Sequence, residues 1–376
     1  MRDIQMVDLK GQYEKIKEEV DSRIQKVIES AAFINGPEVK RFQSELEQYL
    51  QVKHVIPCAN GTDALQIALM SLGLKPGDEV ITTTFTFVAT AEVIALLQLK
   101  PVLVDVDPDS YLIDTAKVKE EITDKTKAII PVHLFGQCAN MEEISEIAAE
   151  HNLFVVEDAA QSIGASYHFK SGHSKQSGTI GDFGCTSFFP SKNLGCYGDG
   201  GALFTNNDDL AEKARMVVNH GMKERYYHDE IGVNSRLDSI QAAVLSTKLN
   251  HLDHYNNSRR SAAWGYDQAF ADIDDLTTPK REKNSCHVFH QYTMKVKNGK
   301  RDALREYLTQ AGVPAMIYYP VPLHQQKAYR DERYGDGTFP IAEQLAKEVI
   351  SLPMHSELDT EMLSRITKTV KEFFKS

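Results

Sequence analysis

Between residues 54 and 205 the chain alternates short β-branched or apolar runs with helix-length amphipathic segments, and that alternation limits the folds open to it. The runs fall at 54–57, 79–83, 101–106, 128–132, 153–156, 185–189 and 201–205. Helical patterning fills most of the gaps, at 63–72, 89–98, 116–122 and 141–151. Strand and helix in turn predict a seven-stranded, mostly parallel sheet with helices on both faces, an α/β fold. Ligands of such sheets bind beyond the carboxyl ends of the strands. Two helices are expected before the sheet, at 13–29 and 38–50, with a turn at Asn35-Gly36-Pro37 between them.

Beyond residue 206 the pattern is α+β. Helices are expected at 208–219, 235–255, 301–311, 339–351 and 360–375, a strand-pair edge at 285–296 and a strand at 315–319. This divides the chain into a large domain, 1–250, and a smaller C-terminal one, 251–376. The formal charge of −11 argues against nucleic-acid binding, which requires a basic face. The apolar runs are too short to span a bilayer, and Met1-Arg2-Asp3-Ile4-Gln5 offers no signal-peptide core, so a cytoplasmic protein without membrane partners is expected. Five cysteines without CxxC spacing argue against a disulfide framework or a metal site.

Four motifs lie at expected strand ends. Asn60-Gly61-Thr62-Asp63 precedes a helix; Gly61 admits close backbone approach, Thr62 or Asp63 is expected to cap the helix, and the free N–H groups there favour a phosphate. Glu157-Asp158-Ala159-Ala160-Gln161 follows a buried run, where a carboxylate either faces a ligand or caps a following helix. Ser187-Phe188-Phe189-Pro190-Ser191-Lys192 sets a lysine behind an apolar strand, surroundings that lower an amine's pKa and make it nucleophilic, although an isolated lysine in a turn is ordinarily just solvated. Gly198-Asp199-Gly200-Gly201 reads as a turn into the last strand that positions the lysine loop. Phe85 or Phe87, at a further strand end, is either a core residue or a ring stacked on a ligand. Phosphate turn, carboxylate, aromatic and amine on successive strands are the parts a pyridoxal phosphate (PLP) site requires.

At this point the sequence resembles the DegT/DnrJ/StrS family of sugar aminotransferases, within fold type I of the PLP enzymes. The likeness spans nearly the whole chain and includes Phe33-Ile34-Asn35-Gly36-Pro37-Glu38, Asn60-Gly61-Thr62-Asp63-Ala64-Leu65, Thr86-Phe87-Val88-Ala89-Thr90-Ala91, Gly232-Val233-Asn234-Ser235-Arg236-Leu237-Asp238 and Tyr319-Pro320-Val321-Pro322-Leu323-His324, with the Glu157 and Ser187 stretches as its most specific parts. The resemblance implies that Lys192 forms the Schiff base with PLP and shuttles the proton. It implies that Asp158 pairs with the pyridine nitrogen, Gln161 with the cofactor hydroxyl, and Gly61, Thr62 and Ser187 with the phosphate, while Phe87 stacks on the ring. Asn234 would reach the cofactor of a partner subunit, making a homodimer with shared active sites, and Arg236, Tyr318, Tyr319 and His324 would contact substrate. The activity implied is transfer of an amino group from L-glutamate to a nucleotide-linked keto-sugar, at C3 of a UDP-2-acetamido-3-keto-hexuronic acid, feeding a surface polysaccharide; a C4 keto-sugar on UDP, dTDP or GDP is the alternative. Relatives acting on 3-keto hexuronic sugars often carry His-Tyr-Pro where this chain has Tyr318-Tyr319-Pro320, which weakens the transfer of a role to Tyr318. Dehydratase relatives carry His in place of the lysine, and this chain keeps Lys192. A non-catalytic regulatory protein on the same fold is opposed by the complete Lys192, Asp158 and Gln161 set. A nicotinamide-dependent oxidoreductase is opposed by the lack of a glycine fingerprint after the first strand.

Overall fold

The computed structural model describes residues 3–375; Met1 and Arg2, part of the segment read above for a signal peptide, lie outside them. Seven strands form the central sheet, in the order His54–Cys58, Gly201–Thr205, Phe183–Ser187, Phe154–Asp158, Thr126–Ile130, Glu79–Thr83 and Lys100–Val104. Gly201–Thr205 is antiparallel to both of its neighbours, and the other ladders are parallel. The seven expected runs are these strands, with ends shifted by at most two residues.

Apolar side chains cover both faces, as a parallel sheet requires. On one face Leu65, Ile67 and Ala68 of helix Gly61–Ser71 pack with Val93 of Ala89–Leu96 and Val217 of Asp208–Val217 against Ile56, Val80 and Leu203. On the other, Met141, Ile144 and Ile147 of helix Met141–His151 meet Ile81, Ile129 and Val155. Toward the C-terminus Leu276–Thr277, Tyr292–Val296 and Val349–Leu352 make a three-stranded antiparallel sheet. It shares a separate apolar cluster with helices Leu252–Phe270, Arg301–Gln310 and Thr360–Lys375, joined by Ile4 from the other end of the chain.

Four expectations in this half are corrected. The single helix at 235–255 is two, Ser239–Leu249 and Leu252–Phe270. Leu245 and Leu249 of the first pack with Phe42 and Leu46 of helix Pro37–Leu50, whereas Ala263 and Tyr266 of the second pack into the C-terminal cluster. No Gly or Pro marks the change of partner, so the apolar period reads straight through. The edge at 285–296 divides between two sheets: Ser285–Cys286 pairs with Ser166–His168, and Tyr292–Val296 with Val349–Leu352, with Phe289 in the left-handed region (φ 47°) between them. The end of the expected helix at 339–351 is the strand Val349–Leu352; its β-branched residues fit either structure until a sheet partner decides. The strand expected at 315–319 reduces to a single bridge between Met316 and Ser351.

Candidate active site

The motifs meet at the carboxyl ends of the central strands. Gly61 opens its helix directly beside the end of the neighbouring strand, where a Cβ would lie 2.6 Å from the Cβ of Ser187. The absence of a side chain at 61 therefore leaves a cradle between a helix N-terminus and the Ser187 hydroxyl, which accepts the Phe189 N–H at 3.2 Å. Capping falls to neither Thr62 nor Asp63: Asn60 Oδ1 accepts the Asp63 N–H at 2.8 Å. The Asp63 carboxylate instead accepts from the Ser235 hydroxyl at 2.6 Å, which ties the Asn234–Arg236 segment to the same turn. Asn234 is exposed and Arg236 half-exposed, and Arg236 makes no ion pair among the described residues.

Glu157 and Asp158 point to opposite faces of their strand. Buried Glu157 accepts N–H groups of Gly178, Ile180 and Gly181 at 2.6–2.9 Å and the His133 Nε2–H at 2.8 Å. His133 Nδ1 accepts the Ala139 N–H at 3.1 Å, which fixes its proton on Nε2. Asp158 lies on the site side, with Oδ2 accepting from the Thr90 hydroxyl at 2.7 Å and Oδ1 from the Ala160 N–H at 3.2 Å. No helix follows, so the capping alternative for this pair is excluded. Gln161 is oriented at both ends of its amide: Oε1 accepts the Phe135 N–H at 2.7 Å and Nε2 donates to the Tyr319 hydroxyl at 3.1 Å.

Lys192 follows the strand on a loop closed by its own N–H donating to Phe189 O at 2.8 Å. It is half-buried, and the protein around its ammonium pushes the amine down to about 8, with the Asp158 carboxylate pulling the other way. His290 lies near enough that burial, with the Lys192 and Arg259 charges behind it, holds its ring well below the usual imidazole range and therefore neutral. Of the two candidate stacking rings, Phe85 is fully buried in a core cluster, while Phe87 is 55% exposed with its ring 6.3 Å from that of Tyr319. Tyr318 is half-buried beside Tyr319, 6.0 Å between rings. His324 is buried, with Nδ1 2.9 Å from the Thr84 hydroxyl and Nε2 3.3 Å from Glu343.

These groups fit PLP: a phosphate cradle at Gly61 and Ser187, a carboxylate at Asp158, an amide at Gln161, an open aromatic face at Phe87 and an amine with a lowered pKa at Lys192. A cavity of about 340 Å³ lies elsewhere, lined among others by Asp107, Asp114, Lys280 and Asn284, and shares no residue with this constellation. Thr90 was not assigned a role by sequence reasoning. It sits in the quoted Thr86–Ala91 stretch, but nothing local shows that it meets a carboxylate 68 positions away.

The model of the DegT/DnrJ/EryC1/StrS aminotransferase family matches residues 14–371. The chain belongs to that family. This family member is 47% identical over 374 residues to the "Pleiotropic regulatory protein" of Geobacillus stearothermophilus, covering 99% of each chain. It is 47% identical over 363 residues to the UDP-2-acetamido-2-deoxy-3-oxo-D-glucuronate aminotransferase of Pseudomonas aeruginosa, covering 96% of this chain and 98% of that one. Among solved structures, a DegT DnrJ EryC1 StrS aminotransferase from Brucella abortus superposes with a TM-score of 0.92 at 42% identity, over 99% of this chain and 100% of that one. The fold is that of the family, fold type I.

Proposed function

We propose that this aminotransferase uses PLP to move an amino group from L-glutamate to the C3 carbonyl of a UDP-linked 2-acetamido-3-keto-hexuronic acid. The carrying observation is Lys192, an amine that burial lowers to about 8, at the same strand ends as Asp158 and the Gly61–Ser187 cradle. The choice of sugar rests on the likeness to the Pseudomonas aeruginosa enzyme.

When bound, PLP supplies an aldehyde that takes up amines and a ring that accepts electrons. Lys192 Nζ holds the cofactor, then carries a proton to and from the Cα of the amino acid as general base and acid. Asp158 keeps the ring nitrogen protonated, with Thr90 fixing the carboxylate. Gln161 faces the cofactor hydroxyl, Phe87 covers the ring, and Gly61, Thr62 and Ser187 receive the phosphate. Arg236 provides a cation for the nucleotide phosphates, and Tyr318 and Tyr319 line the sugar side. Asn234, exposed on one chain, completes the site of a second in a homodimer. In this reading residues 1–250 carry the cofactor, residues 251–376 close over the substrate, and the product enters polysaccharide synthesis in the cytoplasm.

The test is incubation of the holoenzyme with L-glutamate and a panel of keto-sugar nucleotides, followed by product mass and the position of the new C–N bond. An amine at C3 of the UDP-hexuronate is expected. An amine at C4 moves the assignment to the 4-keto sugars. No amine from any sugar, and no 2-oxoglutarate released from glutamate, removes the catalytic reading and favours the regulatory role suggested by the name of the Geobacillus relative.

A further inference from the structure

A second lysine is deeply buried behind the first. Lys248, on the last turn of helix Ser239–Leu249, is 1% exposed and pairs with no carboxylate among the described residues. Its ammonium donates to the Gly195 carbonyl at 2.8 Å and sits over the Tyr197 ring, 4.6 Å from the centroid. Burial lowers its pKa to about 8. A buried ammonium without a counter-ion is costly and needs a compensating role.

Both of its partners lie on the segment between Phe183–Ser187 and Gly201–Thr205 that carries Lys192. This segment folds tightly on itself: Phe188 N–H donates to Gly200 O at 2.7 Å and Cys196 N–H to Phe188 O at 2.8 Å. A Cβ at Gly195 would stand 2.8 Å from the Phe189 carbonyl oxygen. Two turns before Lys248, on the same face of the helix, Gln241 Oε1 accepts the Tyr197 N–H at 2.8 Å and its Nε2 donates to Tyr197 O at 3.4 Å. One helix face therefore grips backbone groups three and five residues beyond Lys192. Asn193 fastens the other side, donating to Asn256 Oδ1 at 2.7 Å and Val288 O at 3.1 Å.

We propose that Lys248, with Gln241, is a positioning residue: it clamps the loop through Gly195 and Tyr197 and so sets where the Lys192 amine stands. The proposal rests on the assignment of Lys192 as the reacting amine, and its test has an arm that does not need turnover. Lys248→Met removes the donor and the charge; Gln241→Met removes the second grip without changing charge. In the full chain without cofactor, the rate of Lys192 methylation by formaldehyde and cyanoborohydride is followed by peptide mass as a function of pH. Loosening the loop lets water reach the amine, so the labelling midpoint should rise by half a unit or more in both variants. In the holoenzyme kcat should fall about ten-fold with both KM values within about two-fold, the mark of a misplaced group and not of lost binding. Folded variants with an unchanged midpoint and unchanged kcat would overturn the proposal. A midpoint that moves in Lys248→Met alone would reduce it to an effect of charge and overturn the clamp. If Lys248→Met does not fold, Gln241→Met decides by the same two readings. If the wild type transfers no amino group, the labelling arm still tests the clamp while the functional reading fails separately.

Discussion

The floor and the rim of the candidate site are built differently. On the floor several polar groups have partners within the chain: Asp158 holds Thr90, Gln161 spans Phe135 and Tyr319, and Ser187 accepts from Phe189. The rim carries exposed Phe87 and Phe189, together with exposed Asn234. Aromatic side chains of that size gain by being covered. The contrast teaches that the cofactor end of the site is organised by one chain's own fold, whereas the substrate end leaves its side chains available to what arrives: substrate, and in our proposal a second subunit.

The largest expected effect strikes the floor. Lys192→Ala should lower turnover by about 10⁴-fold, and borohydride treatment of the holoenzyme should no longer leave a pyridoxyl mass on the 192 peptide. Retained turnover would sink the assignment. Asp158→Asn should follow with a loss of about 10²-fold, measured as the glutamate half-reaction; an unchanged rate would mean that the ring nitrogen has another partner. Asn234→Ala addresses the rim. Alone it should cost about ten-fold in cofactor affinity, the range for a hydrogen bond to a charged group. Mixed with Lys192→Ala, it should regain wild-type cofactor affinity at one site per hybrid dimer, because that site holds both side chains intact. Failure to complement would confine Asn234 to its own chain. Thr90→Val should weaken cofactor binding a few-fold, and a larger loss would make Thr90 more than a brace for Asp158.

A further effect concerns stability. The pKa of Lys248 falls from 10.5 to about 8 on folding, so the unfolded chain binds more protons between those values and the folded form gains stability as pH rises through them. Below pH 8 the cost of the buried charge is present in full. The stability of Lys248→Met relative to wild type should therefore be greatest below pH 8 and shrink toward pH 10.5, by an amount on the order of a few kcal/mol. Denaturant titration at four or five pH values reads it, and a difference independent of pH would mean that folding does not lower the pKa of Lys248.

The floor was more legible in the sequence than the rest because its elements are short, punctuated and locally determined. Each central strand is a β-branched run bounded by polar or Gly/Pro residues, and Gly61, Asp158 and Lys192 each sit just past such a boundary. Where partners are distant, local pattern gave no guide. Thr90 meets Asp158, Asp63 meets Ser235, and Lys248 meets Gly195 only after the sheet has assembled. His324 is a further case: the resemblance implies a substrate contact, and its ring partners Thr84 and Glu343 are likewise set by the assembled fold. In the C-terminal half, Val349–Leu352 reads as the tail of a helix until Tyr292–Val296 pairs with it.

The Glu157–Asp158 pair carries a consequence for how the protein must be made. Neighbouring positions on a strand face opposite ways, so a slip of one residue would exchange the two carboxylates. Glu157 would then be presented to the cofactor, one methylene too long, and the N–H groups of Gly178, Ile180 and Gly181 would lose their acceptor. The loop that gathers around Glu157 acts as a proofreader of assembly, because a chain threaded out of step forfeits that set of bonds together with its chemistry. Misregistered molecules should thus be marked by instability and be cleared before they could act as slow or promiscuous enzymes.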